Sequence, residues 1–498
     1  MANRVEFGDW QTNDNLSTAI CQQLYDDGVR PTVIIEPTCG LGSFVKSAIS
    51  VFNTIKTVVA IDINSQYCSE LQSWVEKNKK DSIDIEIYHS SVFDINFNSI
   101  AKKYDKENVL LIGNPPWVTN SQLGVIGSDN LPVKSNINNH KGIEAITGKG
   151  NFDISESILY LLFSAFAFHK KCVIAFIVKN SVIKNIAESL PTKHFKLTSL
   201  AQYNINTQKE FGASVSAALL YARLGEKTDY CCNIYDFYTK KKIRTFGWTD
   251  NRFVADVNDY ALLSSFDGNS PFVWRSGVKH DCAKVMELRK KDGVLYNGLD
   301  EIVNIEEECI FPLIKSSDIK KDIINNTDRY IIITQNKVSE DTSQLENTHP
   351  NLWKYLLSHK SYFTNRKSAI YRSKPQYSIF GIGEYSFCKY KIAISGLYKT
   401  FNFTLLEPIE GKPVMIDDTC YSIGFDNKDT AIKALEVYNS TVIKNFLRTI
   451  TFDDAKRIIS KEILMRIDYF KAYEVLYHCE APLKLTVQKN STLQLQLF

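Results

Sequence analysis

The chain has 498 residues, which is too long for one ordinary compact domain and predicts two principal domains. Hydrophobic residues make up 44% and charged residues 23%, a globular composition that argues against disorder. The apolar runs are too short to span a bilayer, and the N-terminal segment has no apolar signal core. The eleven cysteines form no C-x-x-C pair, so neither a zinc site nor a disulfide framework is supported. We therefore expect a soluble, cytoplasmic protein without a bound metal or a membrane partner.

Net charge is only +3, but the charge is unevenly distributed. Residues 1–225 carry 21 basic and 21 acidic side chains, whereas residues 351–400 carry nine basic side chains and one acid, Glu384. The same segment contains eleven aromatic residues. Basic side chains interleaved with aromatic ones suit a polyanion with stackable bases, which favours a nucleic acid. The alternative is a solvated basic face over an aromatic core.

The first 225 residues alternate β-like runs with helical stretches. The runs predict strands near residues 33–35, 57–63, 84–88, 109–112, 172–178, 199–203 and 214–223. Such alternation is typical of βαβ units and predicts an α/β, doubly wound, Rossmann-like parallel sheet with ligands at the carboxyl ends of its strands.

The alternation is lost between residues 226 and 271, which predicts a linker or boundary region there. We expect four parts: a catalytic domain over 1–225, the boundary region over 226–271, a mixed α+β domain over 272–485, and a C-terminal tail over 486–498.

A glycine-containing turn, Glu36-Pro-Thr-Cys-Gly40-Leu-Gly42, follows the first predicted strand. Glycines there let the backbone approach a ligand closely, and an acid at the strand end can hold an amine or a hydroxyl. Asp62 ends the second strand 26 residues later, where an acid accepts hydrogen bonds from ribose hydroxyls. A helix N-cap is the alternative for Asp62. A nicotinamide cofactor is disfavoured because Val45 stands where the third glycine of the dinucleotide motif belongs.

Two further motifs follow the third and fourth strands. Asp94, with Phe93 beside it, is placed to meet an adenine amino group and ring, although a cap or turn residue is the ordinary reading of such an Asp. Asn114-Pro-Pro-Trp117 follows the fourth strand. Its prolines remove two N–H donors, so the Asn114 amide oxygen and the Pro115 carbonyl can accept both hydrogens of one exocyclic amine. The aromatic ring of Trp117 can then stack on the base that carries this amine.

In the order of these motifs the chain resembles the gamma-class N6-adenine DNA methyltransferases of restriction–modification systems. The motifs that carry the resemblance are Phe7-Gly-Asp-Trp-Gln-Thr12, the Glu36 turn, Asp62, Asp94, Asn114 to Trp117, and Glu210-Phe211-Gly-Ala-Ser-Val-Ser-Ala-Ala218. Together they cover roughly residues 5–225. The departure from the family pattern is Trp117, where Tyr or Phe is commoner.

The resemblance implies S-adenosylmethionine as cofactor and assigns site residues. Its methionine part would be lined by Thr12 and the preceding segment, with Glu36 near the ammonium end, and Gly40 and Gly42 would also bind the cofactor. Asp62 would hold the ribose, and Phe93 and Asp94 would meet the cofactor's adenine.

For the target, the resemblance implies that Asn114 and Pro115 bind the amine, with Trp117 and Phe211 on the two faces of a flipped base. Flipping is required because the amine cannot reach the methyl donor from within the base stack.

The C-terminal half would then recognise double-stranded DNA. Our candidates for DNA contact in the basic, aromatic stretch are Arg366, Lys367 and Arg372. His280 could act as a ligand, but an ordinary hydrogen-bonded histidine is the simpler interpretation.

Two protein partners are considered. The resemblance admits a separate restriction endonuclease, and the terminal Gln494-Leu-Gln-Leu-Phe498 resembles the short motif that binds the bacterial sliding clamp. Two alternatives to DNA methylation stay open at this point: an RNA or protein N-methyltransferase, and a DNA-binding specificity subunit with a vestigial cofactor pocket.

Overall fold

The computed structural model describes residues 11–78, 82–118, 153–226, 230–453 and 457–480. The chain divides into two compact units, the first reaching Asn258 and the second beginning at Asp259. Each unit contains its own sheets and its own hydrophobic core.

The described strands of the first unit form one ten-stranded sheet, in the order β10-β9-β8-β6-β7-β5-β4-β1-β2-β3. These strands are β1 (Val33–Glu36), β2 (Thr57–Asp62), β3 (Asp84–His89), β4 (Val109–Gly113), β5 (Cys172–Lys179), β6 (Leu197–Asn204), β7 (Ala217–Leu224), β8 (Cys231–Asp236), β9 (Lys242–Thr249) and β10 (Arg252–Val254). The helices are α1 (Asp14–Asp26), α2 (Ser43–Val51), α3 (Ser65–Lys77), α4 (Phe97–Lys103), α5 (Ile154–Ala165), α6 (Asn180–Lys193), α7 (Thr207–Phe211) and α8 (Val257–Leu263), which crosses the boundary between the units.

The central strands form because their sequences are continuous apolar runs. Every residue of β1 and β4 is buried, as expected for parallel strands covered on both faces. Side chains of α1, α2 and α3 pack on one face of the sheet, where Ile34 and Leu110 belong to the same core cluster. Alternate residues such as Ile35 and Leu111 point to the opposite face.

The chain reverses its direction of winding between β1 and β4. The strands β1, β2 and β3 are parallel neighbours, and β4 then pairs with the other side of β1. This confirms the doubly wound fold and places the topological switch point between β1 and β4, where ligands bind beyond the carboxyl ends. The sheet is not all parallel: β7 runs antiparallel between β5 and β6, and β9 and β10 also pair antiparallel with their neighbours.

The segment expected to hold the domain boundary contains more structure than a linker. Strands β8, β9 and β10 continue the first sheet, since β8 pairs in parallel with β6. The division between the units falls after Asn258, within the expected 226–271 region.

The second unit has two five-stranded sheets among its described residues, in the orders β11-β20-β17-β18-β15 and β13-β12-β16-β14-β19. The strands are β11 (Arg275–Ser276), β12 (Glu287–Lys291), β13 (Val294–Tyr296), β14 (Ile310–Ile314), β15 (Ile323–Ile324), β16 (Arg329–Ile332), β17 (Tyr390–Ser395), β18 (Phe403–Leu406), β19 (Met415–Ile416) and β20 (Cys420–Phe425). The helices are α9 (Ala283–Met286), α10 (Leu345–Thr348), α11 (Pro350–Ser358), α12 (Lys360–Thr364), α13 (Lys428–Asn439), α14 (Thr441–Ile450), α15 (Lys461–Met465) and α16 (Tyr469–Tyr477). This is the mixed α+β architecture expected from the sequence. In the described ranges of both units, no helix combines the length and the apolar character needed to cross a membrane.

A buried lysine lies on β17, the middle strand of one sheet of the second unit. Lys391 of β17 is 3% exposed, and its Nζ donates to the carbonyls of Cys388 at 3.0 Å and Val414 at 2.8 Å. Because burial disfavours the charged ammonium, the pKa of Lys391 is lowered from 10.5 to about 8.

This lowered pKa predicts a pH-dependent stability. Between about pH 8 and pH 10.5 the unfolded chain binds the Lys391 proton and the folded chain does not, so the free energy of unfolding should rise with pH. The rise attributable to Lys391 should reach at most roughly 3 kcal/mol. Urea unfolding of the wild type and of Lys391→Met across this pH range measures it, since the variant should lack that rise. Identical pH slopes would contradict the prediction.

Candidate active site

Four chain segments meet at the carboxyl edge of the first sheet. Glu36 ends β1, Asp62 ends β2, Phe93 and Asp94 lie in a short 3-10 helix after β3, and Asn114 follows β4. The strand order is β4-β1-β2-β3, and neighbouring strands of a sheet lie about 4.8 Å apart. The four segments therefore lie in a row along the edge in this order. The structure therefore brings together the acids and the Asn that the sequence analysis selected.

Glu36 is the most buried acid of this edge. It is 2% exposed, and its Oε2 accepts the Val45 N–H at 3.1 Å. Burial raises the pKa of the Glu36 carboxyl well above its usual range; the Val45 hydrogen bond lowers this pKa by less, and the smaller effects of Asp62 and Lys46 raise and lower it, respectively. A Cβ added at Gly113 would lie 3.5 Å from Glu36 Cγ, so Glu36 lies beside the backbone that leads to Asn114. A cation bound next to Glu36 would offset the free-energy cost of ionising the buried Glu36 carboxyl.

Asp62 holds the turn after β1 and does not cap a helix. The Asp62 Oδ2 accepts the Gly40 N–H at 2.8 Å, and its Oδ1 accepts the Asn64 N–H at 2.8 Å. The N-cap of α3 is Asn64, whose side chain accepts from the first turn. The carboxylate of Asp62 is thus fixed between two loops, and carboxylate oxygens have further acceptor capacity for hydroxyl donors.

The glycines of this turn are required by geometry. Gly40 and Gly42 have φ of +51° and +79°, in the left-handed region that favours glycine. A Cβ at Gly42 would lie 2.4 Å from Leu71 Cδ1 in the core, and one at Gly40 would lie 2.9 Å from the Gln11 amide.

Phe93 and Asp94 lie at the far end of this row. The Phe93 ring is half-buried and the Asp94 side chain is exposed. Ser91 shapes the turn, because its hydroxyl accepts the Phe93 N–H at 3.3 Å and its carbonyl accepts the Asp94 N–H at 3.0 Å.

The N-terminal part of the described chain joins three parts of the site. Thr12 is 7% exposed, and its Oγ1 accepts the Asn114 Nδ2–H at 3.2 Å. Gln11 accepts the Leu41 N–H at 3.5 Å, and Asn13 donates to Glu210 Oε2 at 3.2 Å. Residues 7–10 of the expected Phe7 to Thr12 motif lie outside the described residues.

The rings expected to enclose a base are in contact with each other. Trp117 is 6% exposed, and its Nε1 donates to the Ile177 carbonyl at 3.2 Å. Phe211, the last residue of α7, meets Trp117 edge to face, with centroids 5.2 Å apart and an interplanar angle of 69°. The structure thus pairs Trp117 with Phe211, although they are far apart in sequence.

Several site residues were not selected from the sequence: Gln11, Asn13, Lys179 and Glu210. Glu210 accepts from Asn13 and, at 2.9 Å, from the Tyr238 hydroxyl, which fixes the helix that carries Phe211. Lys179 donates to the Trp117 carbonyl at 3.1 Å. Gln11 and Glu210 stood within the quoted motifs without an assigned role. The partners of Asn13 and Lys179 come from other elements, so no local pattern marks these two residues.

Comparison with known proteins identifies the family. No family model matches the chain. The type II methyltransferase M.NspV from Nostoc sp. is 40% identical over 467 residues, which cover 93% of this chain and 96% of that protein. The chain belongs to the DNA methyltransferases of restriction–modification systems. Among solved structures, the type IIL restriction–modification enzyme MmeI in complex with DNA has a similar fold, with a TM-score of 0.51 and 12% identity over 96% of this chain and 74% of that one.

In the second unit of this methyltransferase, the aromatic residues of the basic stretch belong largely to the core. Phe363 and Tyr377 are buried in it, and Trp353 packs against it. The lysines Lys354, Lys360 and Lys367 are exposed. The segment is therefore a solvated basic face over an aromatic core, which was the alternative interpretation.

Among the three expected DNA contacts, Arg366 differs from the other two. Its guanidinium donates to the carbonyls of Phe363 (3.1 Å), Ser378 (2.6 Å) and Gln376 (2.7 Å), and it lies 3.7 Å from the Tyr371 ring centroid. These bonds give Arg366 a structural role in place of the expected DNA contact. Lys367 and Arg372 are exposed and remain candidates.

His280 has ordinary protein partners. It is 7% exposed, its Nδ1 accepts the Cys282 N–H at 3.1 Å, and its Nε2 lies 3.5 Å from Glu287 Oε1. These contacts agree with an ordinary hydrogen-bonded histidine. The expected clamp motif at residues 494–498 lies outside the described residues.

The glycine turn gives a stability prediction with a matched control. Gly28 also has a left-handed φ, +81°, but no atom lies within 4 Å of a Cβ added there. Gly28→Ala should cost about 1–2 kcal/mol of unfolding free energy from backbone strain. Gly42→Ala should cost a further 1–3 kcal/mol, approximately, because its Cβ overlaps Leu71. Denaturant unfolding compares the two variants, and equal losses would show that the overlap is relieved without cost.

Arg366 and Lys367 are neighbours in sequence, but we expect their substitution to affect stability differently. Arg366→Ala should lower the free energy of unfolding by about 2 kcal/mol or more, because it removes the guanidinium donor from the Ser378 and Gln376 carbonyls. Lys367→Ala should change it by less than about 0.5 kcal/mol, since the side chain is exposed. Urea denaturation of both variants measures the difference. A stable Arg366→Ala protein would refute the structural assignment.

Proposed function

We propose that this methyltransferase transfers a methyl group from S-adenosylmethionine to the N6 amine of an adenine flipped out of a specific DNA sequence. The observation that carries the proposal is Asn114-Pro-Pro-Trp117 at the switch point between β1 and β4, with Phe211 opposite the Trp117 ring. Membership of a DNA methyltransferase family favours DNA over the RNA and protein substrates considered from the sequence.

The residues of the sheet edge fit the cofactor in order. Glu36 on β1 is a buried acid whose ionisation an ammonium group would favour. Asp62 on β2 presents a fixed carboxylate to ribose hydroxyls, and Phe93 and Asp94 after β3 present a ring and an acceptor to the cofactor's adenine. Gly40 and Gly42 keep the turn close to this row, with Thr12 lining the methionine part. The bound cofactor would supply an electrophilic methyl group on sulfur.

The chain orients the target amine without forming a covalent bond to it. The amide nitrogen of Asn114 donates to Thr12 Oγ1, and the other end of the amide is its oxygen. That oxygen and the Pro115 carbonyl accept the two amine hydrogens, so the nitrogen lone pair is directed at the methyl group. As the new N–C bond forms the S–C bond breaks, and the amine then loses one proton to water.

Base entry requires the aromatic rings to separate. A base stacked between Trp117 and Phe211 needs about 7 Å between the two rings, twice the 3.4 Å stacking distance of DNA. The centroids are 5.2 Å apart, so one ring must move. Trp117 is fixed by the bond to Ile177, whereas Phe211 ends a five-residue helix and is half-buried, so Phe211 is the ring that moves.

The second unit is proposed to recognise the DNA sequence. Its exposed Lys367 and Arg372 would contact phosphates or base edges, and Arg366 would support the loop that carries them. The proposal places this methylation in a restriction–modification context.

The test is single-molecule sequencing of DNA from a methylation-deficient bacterial host that expresses the intact chain. We expect one sequence motif to carry N6-methyladenine. Asn114→Ala should lose the mark and lower kcat by about 10²-fold or more, because a single oriented hydrogen bond at a reacting group has that effect.

Two outcomes would contradict the proposal. One is a motif with modified cytosine instead of adenine. The other is unmodified DNA in cells that contain soluble protein, if that protein still binds S-adenosylmethionine in calorimetry.

A further inference from the structure

A buried ion pair lies directly beside Trp117. Lys179 Nζ, at the end of β5, lies 2.7 Å from Asp153 Oδ2 and donates to the Trp117 carbonyl at 3.1 Å. The side chains of Lys179 and Asp153 are 18% and 8% exposed. The ammonium group thus connects the Asn-Pro-Pro-Trp loop to the start of α5.

We propose that Lys179 is a positioning residue for methyl transfer: held by Asp153, it fixes the Trp117 backbone so that the Trp117 ring forms the immobile wall of the base pocket. This inference rests on the proposed function, because it assigns a role within the same site.

The backbone ladder between β4 and β5 cannot reach Trp117. The last paired residues are Gly113 and Phe176. Beyond them, Pro115 and Pro116 have no N–H to donate. Two bonds to β5 take the place of the ladder: Trp117 Nε1 to the Ile177 carbonyl, and Lys179 Nζ to the Trp117 carbonyl. The first holds the ring and the second holds its backbone.

The Asp153 carboxylate is itself held at both oxygens. Its Oδ1 accepts from the backbone N–H of Ser155 at 3.0 Å and from the Ser155 hydroxyl at 2.6 Å, so it caps α5, while Oδ2 faces Lys179. The next residue, Ile154, donates its N–H to the Val118 carbonyl at 3.0 Å. Lys179 is therefore anchored to a helix end that also contacts the residue after Trp117.

Stability alone is a weak reason for such a pair. Removing two charges from water costs free energy that their attraction often fails to recover, and a well-packed apolar pair of similar volume is frequently as stable. What an apolar pair cannot supply is a directed donor to the Trp117 carbonyl. The site needs that direction because a displacement of about 1 Å at a reacting centre can cost about 10²-fold in rate.

The two partners can be separated by substitution. Lys179→Met removes the donor to Trp117. Asp153→Asn removes the anchoring charge but retains an oxygen that can cap α5. The matched control is Lys103→Met, which breaks a 2.8 Å ion pair with Glu86 of β3. The edge strand β3 lies four strands from β5, about 19 Å away.

The experiment uses the full chain and a duplex that carries the motif found by sequencing, with 2-aminopurine at the target adenine for the flipping assay. Single-turnover methylation is measured on the unmodified duplex, and calorimetry gives the S-adenosylmethionine Kd. We expect Lys179→Met to lower the single-turnover rate by about 10- to 100-fold and to change the 2-aminopurine fluorescence of the flipped base, with cofactor Kd within about threefold of wild type. Lys103→Met should match the wild type.

Asp153→Asn should lower the rate less than Lys179→Met does, and the double variant should be no slower than Lys179→Met, since both changes act through one bond. If Lys179→Met does not fold, the double variant, which leaves no unpaired buried charge, takes its place in the same assays.

The inference is overturned if the Lys179 variant methylates within twofold of wild type, if Lys103→Met shows the same loss, or if the whole loss lies in cofactor Kd. Failure of the wild type to methylate the duplex would instead refute the proposed function, so the two failures are distinguishable.

Discussion

The parallel pairing of β1 with β4 is the constraint on which the site depends. It places Glu36 beside the backbone that leads into Asn114, at the point where the sheet reverses its winding. The strands that flank this pair then add Asp62 on one side and Lys179 on the other. Because parallel strands end at the same edge, one pairing brings acids and amides from distant parts of the chain into a single row.

In the proposed base pocket, one wall is bonded directly through its own residue and the other only through a neighbouring residue. Trp117 lies in the core, bonded through its indole N–H and its carbonyl to successive parts of β5. Phe211 lies at the end of a short helix, attached through the Glu210 contacts with Asn13 and Tyr238. This asymmetry suits a pocket that must open for a large planar group and then define its plane, since only one wall needs to move.

The second unit shows why composition is an ambiguous guide to nucleic-acid binding. Its aromatic residues supply the hydrophobic core, and Arg366 holds backbone carbonyls, so much of the basic, aromatic signal of residues 351–400 serves the fold. What remains of that signal lies in the exposed cations of the segment, Lys367 and Arg372 among them. The sequence does not show whether the donors of a charged side chain next to a packed core point to solvent or bond to backbone carbonyls.

The sequence by itself determined the alternation of strands and helices, the order of the motifs and the acids at the strand ends. These are local features, because hydrophobic periodicity and turn chemistry act over a few residues. Only the tertiary structure decided the contacts of Thr12 with Asn114, Asn13 with Glu210 and Lys179 with Asp153. It also decided that 231–254 extends the first sheet. Such partners meet through pairing across many residues, and no local pattern encodes which distant element will supply a hydrogen bond.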